Sequence, residues 1–400
     1  MEHKLRRYAA VLAALAMGLC TGLTINVSQL LRTAEPQSQT EEAGVEKYRE
    51  IMGLVDEYFI GDDVDITAVN DAMASGIISG LGDRWSYYVS AADYQSYVDN
   101  IDNAYVGVGI TITAKQDEDG NLVGYEVTDV TEGGSAEEAG VLAGDVLTAV
   151  DGTSVTEISL TEVKNMVKGK EGTDVTLTCL RGATEMDFTV ERRSFTVVPA
   201  KGQMLSGNVG YIQIDNFDAG CADAVREQVE RLQSEGATSL LFDVRNNPGG
   251  LKAELTKLLD YLLPEGVIFH TINYAGEEEI VTSDENCVEL PMAVLCNADS
   301  YSAAEYFACA TQQYGVGKVV GEKTCGKGYY QVGLQLSDGS CLNLSIGKYF
   351  TPNGESLIDV GVTPDVEITL DDELALQLAQ KKLEPENDPQ IQAALGCLLP

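Results

Sequence analysis

Between residues 210 and 314 the chain alternates apolar runs with amphipathic ones, and this alternation restricts the fold more than any other feature. Residues 210–217 read as a strand, 222–234 as a helix and 238–244 as a buried strand. A helix over 251–263 follows, then a second buried strand over 291–296. Strands alternating with helices in this way predict an α/β core. Two loops follow the buried strands. One is Arg245-Asn246-Asn247-Pro248-Gly249-Gly250. The other, Asn297-Ala298-Asp299-Ser300-Tyr301-Ser302, opens a helix over 303–314. A tight strand-to-helix turn needs glycine on its own account, so the first loop is not by itself a site.

Ser302-Ala303-Ala304-Glu305 has the spacing of a capping box, in which Ser and Glu side chains satisfy the free N–H groups of a first helical turn. The same helix start offers free donors and a positive dipole end, which suit a developing oxyanion. The Ala303 N–H is the candidate donor. A serine hydroxyl is a poor nucleophile until a base takes its proton. The chain has only two histidines. His3 precedes an apolar segment, and His270 sits in Val267-Ile268-Phe269-His270, which reads as a strand. Composition therefore nearly excludes a Ser-His-Asp triad, and a lysine must act if this is a serine hydrolase. The ordinary lysine pKa of about 10.4 is too high for a base at neutral pH unless the amine is desolvated. Lys327 stands between glycines in Thr324-Cys325-Gly326-Lys327-Gly328-Tyr329-Tyr330-Gln331, ahead of an alternating Val332, Leu334, Leu336 strand. Taken alone it is equally a solvated loop lysine. Gln331 carries both a donor and an acceptor and suits holding a neutral amine.

Ser302 lies three residues before Glu305 and 25 before Lys327, and Gln331 stands four after the lysine. In these spacings the chain resembles the C-terminal processing peptidases, or tail-specific proteases, from about Val45 onward. The resemblance implies a serine endopeptidase with Ser302 as nucleophile, Lys327 as base and Gln331 in support. It also implies an oxyanion hole made by the N–H of Ala303 and that of Gly249 or Gly250. No metal, nucleotide or other cofactor is implied. Two departures stand out: a bulky Tyr301 before the serine, and Arg84-Trp85 where the family usually has Pro-Tyr. Ser300 is a competing nucleophile that misses both spacings. A catalytically dead scaffold that only captures C-terminal tails is the rival reading.

Residues 105–191 form a β-rich block with glycines at Gly107, Gly109, Gly133, Gly134, Gly140, Gly144 and Gly152. This looks like a PDZ domain. Its glycines let backbone N–H groups converge on a peptide carboxylate, and the next strand pairs with that peptide. Gly107-Val108-Gly109 is the expected loop, with Lys168 and Arg181 as further positive charge. The expected partners are protein or peptide substrates with free C-termini.

The amino end reads Glu2-His3-Lys4-Leu5-Arg6-Arg7, then carries no charged residue over positions 8–31. That run is long enough to span a bilayer as one transmembrane helix, and its basic flank predicts an internal N-terminus. A cleaved signal peptide is the alternative, though no clean small-x-small cleavage site is seen. The expectation is a single-pass protein of the cell membrane with its catalytic part extracytoplasmic. The expected divisions are a tip and anchor over 1–34 and a linker with a helical N-terminal segment over 35–104. The PDZ domain covers 105–191, the peptidase core 192–370 and a helical tail 371–400. In relatives the helical N-terminal segment helps form homodimers. A net charge of −37 argues against nucleic acid and anionic surfaces as partners. None of the nine cysteines forms a C-x-x-C pair, so a zinc site is not expected.

Overall fold

The computed structural model describes residues 25–26, 39–61, 63–117, 120–131 and 133–399. The chain forms two units. One joins the residues up to Val98 to those from Pro199 onward, and the other is Asp99–Val198.

The first unit is built on a six-stranded sheet. Its order is Ala200–Leu205, Val209–Ile214, Ser239–Asp243, Met292–Cys296, Gly317–Gly321 and Val366–Glu367. The first pair is antiparallel and every later pair is parallel. Strands Ser239–Asp243 and Met292–Cys296 are buried at every residue. Parallel strands need cover on both faces, and side chains alternate between the faces. Leu240, Phe242 and Val294 pack with Val225, Leu258 and Phe307 from helices Cys221–Ser234, Lys252–Leu262 and Ala303–Gln313. On the opposite face Leu241, Ala293 and Leu295 meet Ile391, Ala394 and Leu395 of helix Pro389–Leu398. The expected tail therefore supplies one wall of the core.

Helix Pro389–Leu398 is tied down by a buried ionic cluster. Arg245 is 7% exposed and binds Asp243 through paired contacts of 2.6–3.1 Å. It also reaches Asp388 Oδ2 at 2.7 Å and Gln390 Oε1 at 2.8 Å. Asp388 caps the helix by accepting the N–H groups of Gln390 and Ile391.

A second sheet of this unit runs Ile25–Asn26, Tyr329–Gln335, Cys341–Phe350, Gly266–Asn273 and Glu278–Ser283, with Tyr87–Val89 also paired to Cys341–Phe350. Ahead of Tyr87–Val89 come helices Gln39–Tyr58 and Ile66–Ser79, close to the expected helical segment. The uncharged run over 8–31 lies outside the described residues except for Ile25–Asn26, which pair in parallel with Leu334 and Gln335. No described helix is long and apolar enough to cross a membrane.

The second unit is an antiparallel sheet in the order Ile110–Gln116, Leu122–Val130, Val146–Val150, Asp174–Arg181 and Thr184–Glu191, with Thr153–Ser154 beside Val146–Val150. Val127, Leu147, Val163 and Leu177 fill its core at 0% exposure. The unit extends beyond 105–191 because Ala104–Gly107 pairs with Arg193–Thr196. Val108 is buried and its carbonyl accepts the Ala136 N–H at 2.9 Å, while the Gly109 carbonyl accepts that of Thr131. The Gly107-Val108-Gly109 loop is thus anchored through its carbonyls, next to the edge strand Ile110–Gln116. Arg181 is committed elsewhere. Its guanidinium binds Asp145 at 2.7 Å and the Gly140 carbonyl.

Candidate active site

Strand Met292–Cys296 runs into a turn that separates its two serines. Ser300 is fully buried. Its hydroxyl donates to the Val244 carbonyl at 2.7 Å and accepts the Asn297 N–H at 2.9 Å, fastening the ends of adjacent strands. Ser302 stands at φ 60°, ψ −123°, at the start of helix Ala303–Gln313, and its side chain makes no capping hydrogen bond. A left-handed backbone at a non-glycine residue costs about 1–3 kcal/mol and persists only where the surroundings impose it. The expected capping box is not formed: the serine hydroxyl takes no part in capping and Glu305 points elsewhere.

The loop after strand Ser239–Asp243 presses against this turn. Asn247 is 0% exposed. Its side chain donates to the Ile214 carbonyl at 2.7 Å and accepts the Gly249 N–H at 2.8 Å, and its own carbonyl accepts the Tyr301 N–H at 3.2 Å. At Gly249 (φ +92°) an added Cβ would sit 2.7 Å from Ser302 Cβ and 2.9 Å from Ala303 N, so only glycine fits. Gly250 forms a parallel bridge with Phe217, held by Phe217 N–H to the Gly249 carbonyl and Leu251 N–H to the Phe217 carbonyl. Those two bonds use the groups on either side of Gly250, so its own N–H faces away from Phe217. The sequence left the two glycines equal as oxyanion donors. Here the Gly249 N–H is committed to Asn247, and that of Gly250 is the one of the two not held there. The Ala303 N–H, in the first helical turn, has no intrahelical acceptor.

Lys327 arrives on the segment from strand Gly317–Gly321 to strand Tyr329–Gln335. Glu305, 0% exposed, takes the Gly326 N–H on Oε1 at 2.7 Å and the Lys327 N–H on Oε2 at 2.9 Å. The Thr324 hydroxyl donates to the same Oε1, and the Tyr349 hydroxyl donates to the Lys327 carbonyl. The Tyr349 hydroxyl also pairs with the Ser302 side chain. The lysine ammonium lies 4.8 Å from the ring centre of Trp85 and 5.9 Å from that of Tyr301. Burial pushes Lys327 from its ordinary 10.5 down to about 8, against the opposing charges of Asp83, Cys325 and Glu305. Ser302 and Lys327 thus come into one cluster through Tyr301 and Tyr349, with the amine over the aromatic faces rather than hydrogen-bonded to the serine.

Gln331 does not reach the lysine amine in this arrangement. A register shift after Tyr330 sets it opposite Ser345, and its amide donates to Ser345 Oγ at 2.9 Å and to the Tyr329 carbonyl. The Ser345 N–H donates to Ser86 Oγ, and Ser86 donates to Asp83 at 2.6 Å. The line from Gln331 leads to the turn over residues 81–86, which sequence reasoning placed among the N-terminal helices. That turn instead covers Lys327. Trp85 and Tyr301 lie 5.7 Å apart, the Arg84 guanidinium sits over Trp85, and it reaches Cys325 Sγ at 3.2 Å. The available signal was that Trp85 and Tyr301, at the two departures from the family pattern, are both large aromatic residues. His270 lies in strand Gly266–Asn273 beside Phe350 and Glu278.

Residues 208–368 match peptidase family S41, and residues 126–181 match a PDZ domain. A CtpA-like serine protease of Staphylococcus aureus (strain MSSA476) is 30% identical over 336 residues, covering 83% of this chain and 66% of that protein. The chain therefore spans about two thirds of that relative's length. A CtpA-like serine protease of Staphylococcus epidermidis is 28% identical over 92% of this chain and 74% of its own length. A solved structure described as an S41 protease from Bacteroides fragilis NCTC 9343 covers 91% of this chain and 98% of its own. It has a TM-score of 0.56 at 19% identity, a likeness of fold. With the S41 core, the PDZ domain and these relatives in agreement, the chain belongs to the C-terminal processing peptidases of family S41.

Proposed function

We propose that the chain is a serine endopeptidase in which Lys327 deprotonates Ser302 to cleave protein substrates near their C-termini. The observation that carries this reading is a lysine brought down to about 8 by burial, in the same cluster as a serine whose hydroxyl is not engaged in capping. A lysine in this range is neutral often enough to act as a base near neutrality. The amine swings from the Trp85 face to Ser302 and takes its proton as Oγ attacks the scissile carbonyl. The Ala303 and Gly250 N–H groups hold the resulting oxyanion. The protonated lysine then gives its proton to the departing amine, leaving an acyl-enzyme on Ser302. Water, deprotonated by the same lysine, releases the acyl group.

In this reading the PDZ domain selects substrates by their free C-terminal carboxylate at Gly107-Val108-Gly109. Gln331 acts through Ser345 and the Asp83 turn rather than on the amine. The basic amino end and its uncharged run support a membrane anchor with an extracytoplasmic core. The direct test is a fluorophosphonate probe together with cleavage of a reporter peptide. Wild type should be labelled at Ser302 and cleave. Ser302→Ala should do neither, and Lys327→Ala and Lys327→Arg should lose both. A scaffold that only captures tails would bind the peptide without labelling or cleavage.

A further inference from the structure

Glu305 occupies the third position of the helix that Ser302 opens, where a carboxylate ordinarily turns back to the helix start. Here it is buried and turns outward from the helix axis to another segment. Its three donors, the Thr324 hydroxyl and the N–H groups of Gly326 and Lys327, all come from the lysine loop. Burying a carboxylate is costly unless hydrogen bonds compensate, so these donors are the condition for its being there. The loop is held from its other side too. Asp359 N–H donates to the Gly326 carbonyl, and Tyr349 donates to that of Lys327. The Lys327 backbone therefore has its N–H and its carbonyl both fixed.

One helical turn is rigid, and it carries both the nucleophile and the carboxylate that grips the lysine backbone. We infer that Glu305 is a positioning residue for the peptidase reaction, setting the register of Lys327 against Ser302 through its two backbone N–H contacts. This gives a physical reason for a glutamate three residues after the serine. It rests on the reading of Ser302 and Lys327 as a dyad.

Glu305 also has an electrostatic signature that a merely structural residue lacks. Its charge raises the Lys327 pKa, alongside Asp83 and Cys325 and against burial and Arg84. The carboxylate itself faces Thr324, Arg84, Lys327, Cys296, Cys309 and Tyr349. Neutralising it should move the lysine limb of the pH profile to lower pH.

The experiment compares kcat and KM from pH 6 to 10 for the full chain and for Glu305→Gln, Glu305→Asp, Thr324→Val and Lys327→Ala. Glu305→Gln should lower kcat by roughly 100-fold, the cost of a misplacement near 1 Å, with KM within about threefold. Its residual activity should rise at lower pH than wild type. Glu305→Asp keeps the charge but not the reach, so kcat should fall with the limb unmoved. Thr324→Val removes the bond to Glu305, which should lower kcat by about fivefold, and also strands the Val362 N–H that the hydroxyl accepts, which should lower the urea midpoint. Wild-type kcat in Glu305→Gln, or a fall in kcat with no shift of its limb, overturns the inference. If Glu305→Gln does not fold, wild-type kcat in both Glu305→Asp and Thr324→Val overturns it. Activity retained in Lys327→Ala would instead overturn the dyad. A dead Lys327→Ala beside fully active Glu305 variants overturns only the positioning role.

Discussion

Removing Trp85 should leave less of the base unprotonated at neutral pH. The indole covers the Lys327 ammonium at 4.8 Å, and burial is the largest influence on that amine. At a pKa of about 8, roughly one lysine in ten is neutral at pH 7, against about one in 3,000 at the ordinary value, so full exposure would cost about 300-fold. Trp85→Ala opens only part of the cover, because Tyr301 stays 5.9 Å away on another segment. The indole also favours the charged amine by a cation–π contact, and its loss opposes the shift. At a desolvated site that contact is worth about 2 kcal/mol, about 1.5 pKa units, so its loss offsets part of the rise from about 8 back to 10.5 that full exposure would give. The limb should therefore rise by about one unit, with activity down about tenfold at pH 7 and nearly restored near pH 10. Trp85→Phe, which keeps a ring in place, should stay close to wild type. The assay is kcat/KM against pH on one peptide for the three proteins. A limb in Trp85→Ala that stays put, or moves to lower pH, would refute the assignment of Trp85 as the cover that desolvates the base.

The two serines should separate in opposite assays. Ser300→Ala strands the Val244 carbonyl and the Asn297 N–H, and should lower stability by about 1–3 kcal/mol in urea unfolding. Ser302→Ala should leave the urea midpoint unchanged and abolish cleavage. Arg245→Met leaves Asp243 and Asp388 buried without their cation, so it should cost about 3–5 kcal/mol, read as a lower thermal midpoint. Finally, a reporter peptide with an amidated C-terminus should be cut more slowly than its free-acid twin. Equal kcat/KM for the pair would remove the Gly107-Val108-Gly109 loop from substrate selection.

The α/β core was legible because strand and helix periods are local, and residues 238–244 and 291–296 could hardly be anything but buried strands. Ser302, Lys327 and Gln331 could be nominated because spacing is a linear property. What eluded the sequence was what each side chain touches. Ser-x-x-Glu reads identically whether the glutamate turns back to its own helix or grips a loop 20 residues later, so the capping box was a misreading. Asn247 looked like turn filler, yet it decides which of Gly249 and Gly250 keeps a free N–H. Trp85 belongs by sequence to the N-terminal helices, and only the pairing of Tyr87–Val89 with Cys341–Asn343 brings it over the lysine. Gln331 was assigned to the amine from its chemistry, but the register shift beside it gives it to Ser345.

The contact between Arg245 and Asp388 joins residues 143 positions apart, and this sets an order in time. Translation proceeds at about 5–20 residues per second, so the arginine waits roughly 7–30 s for its second carboxylate and for Gln390. Arg245 directly precedes the Asn246–Gly250 loop. During that interval Ser302 and Lys327 have already been made, while the helix that closes the other face of their sheet has not. A chain that stops short of Pro389 therefore carries Ser302 and Lys327 with one face of their sheet uncovered.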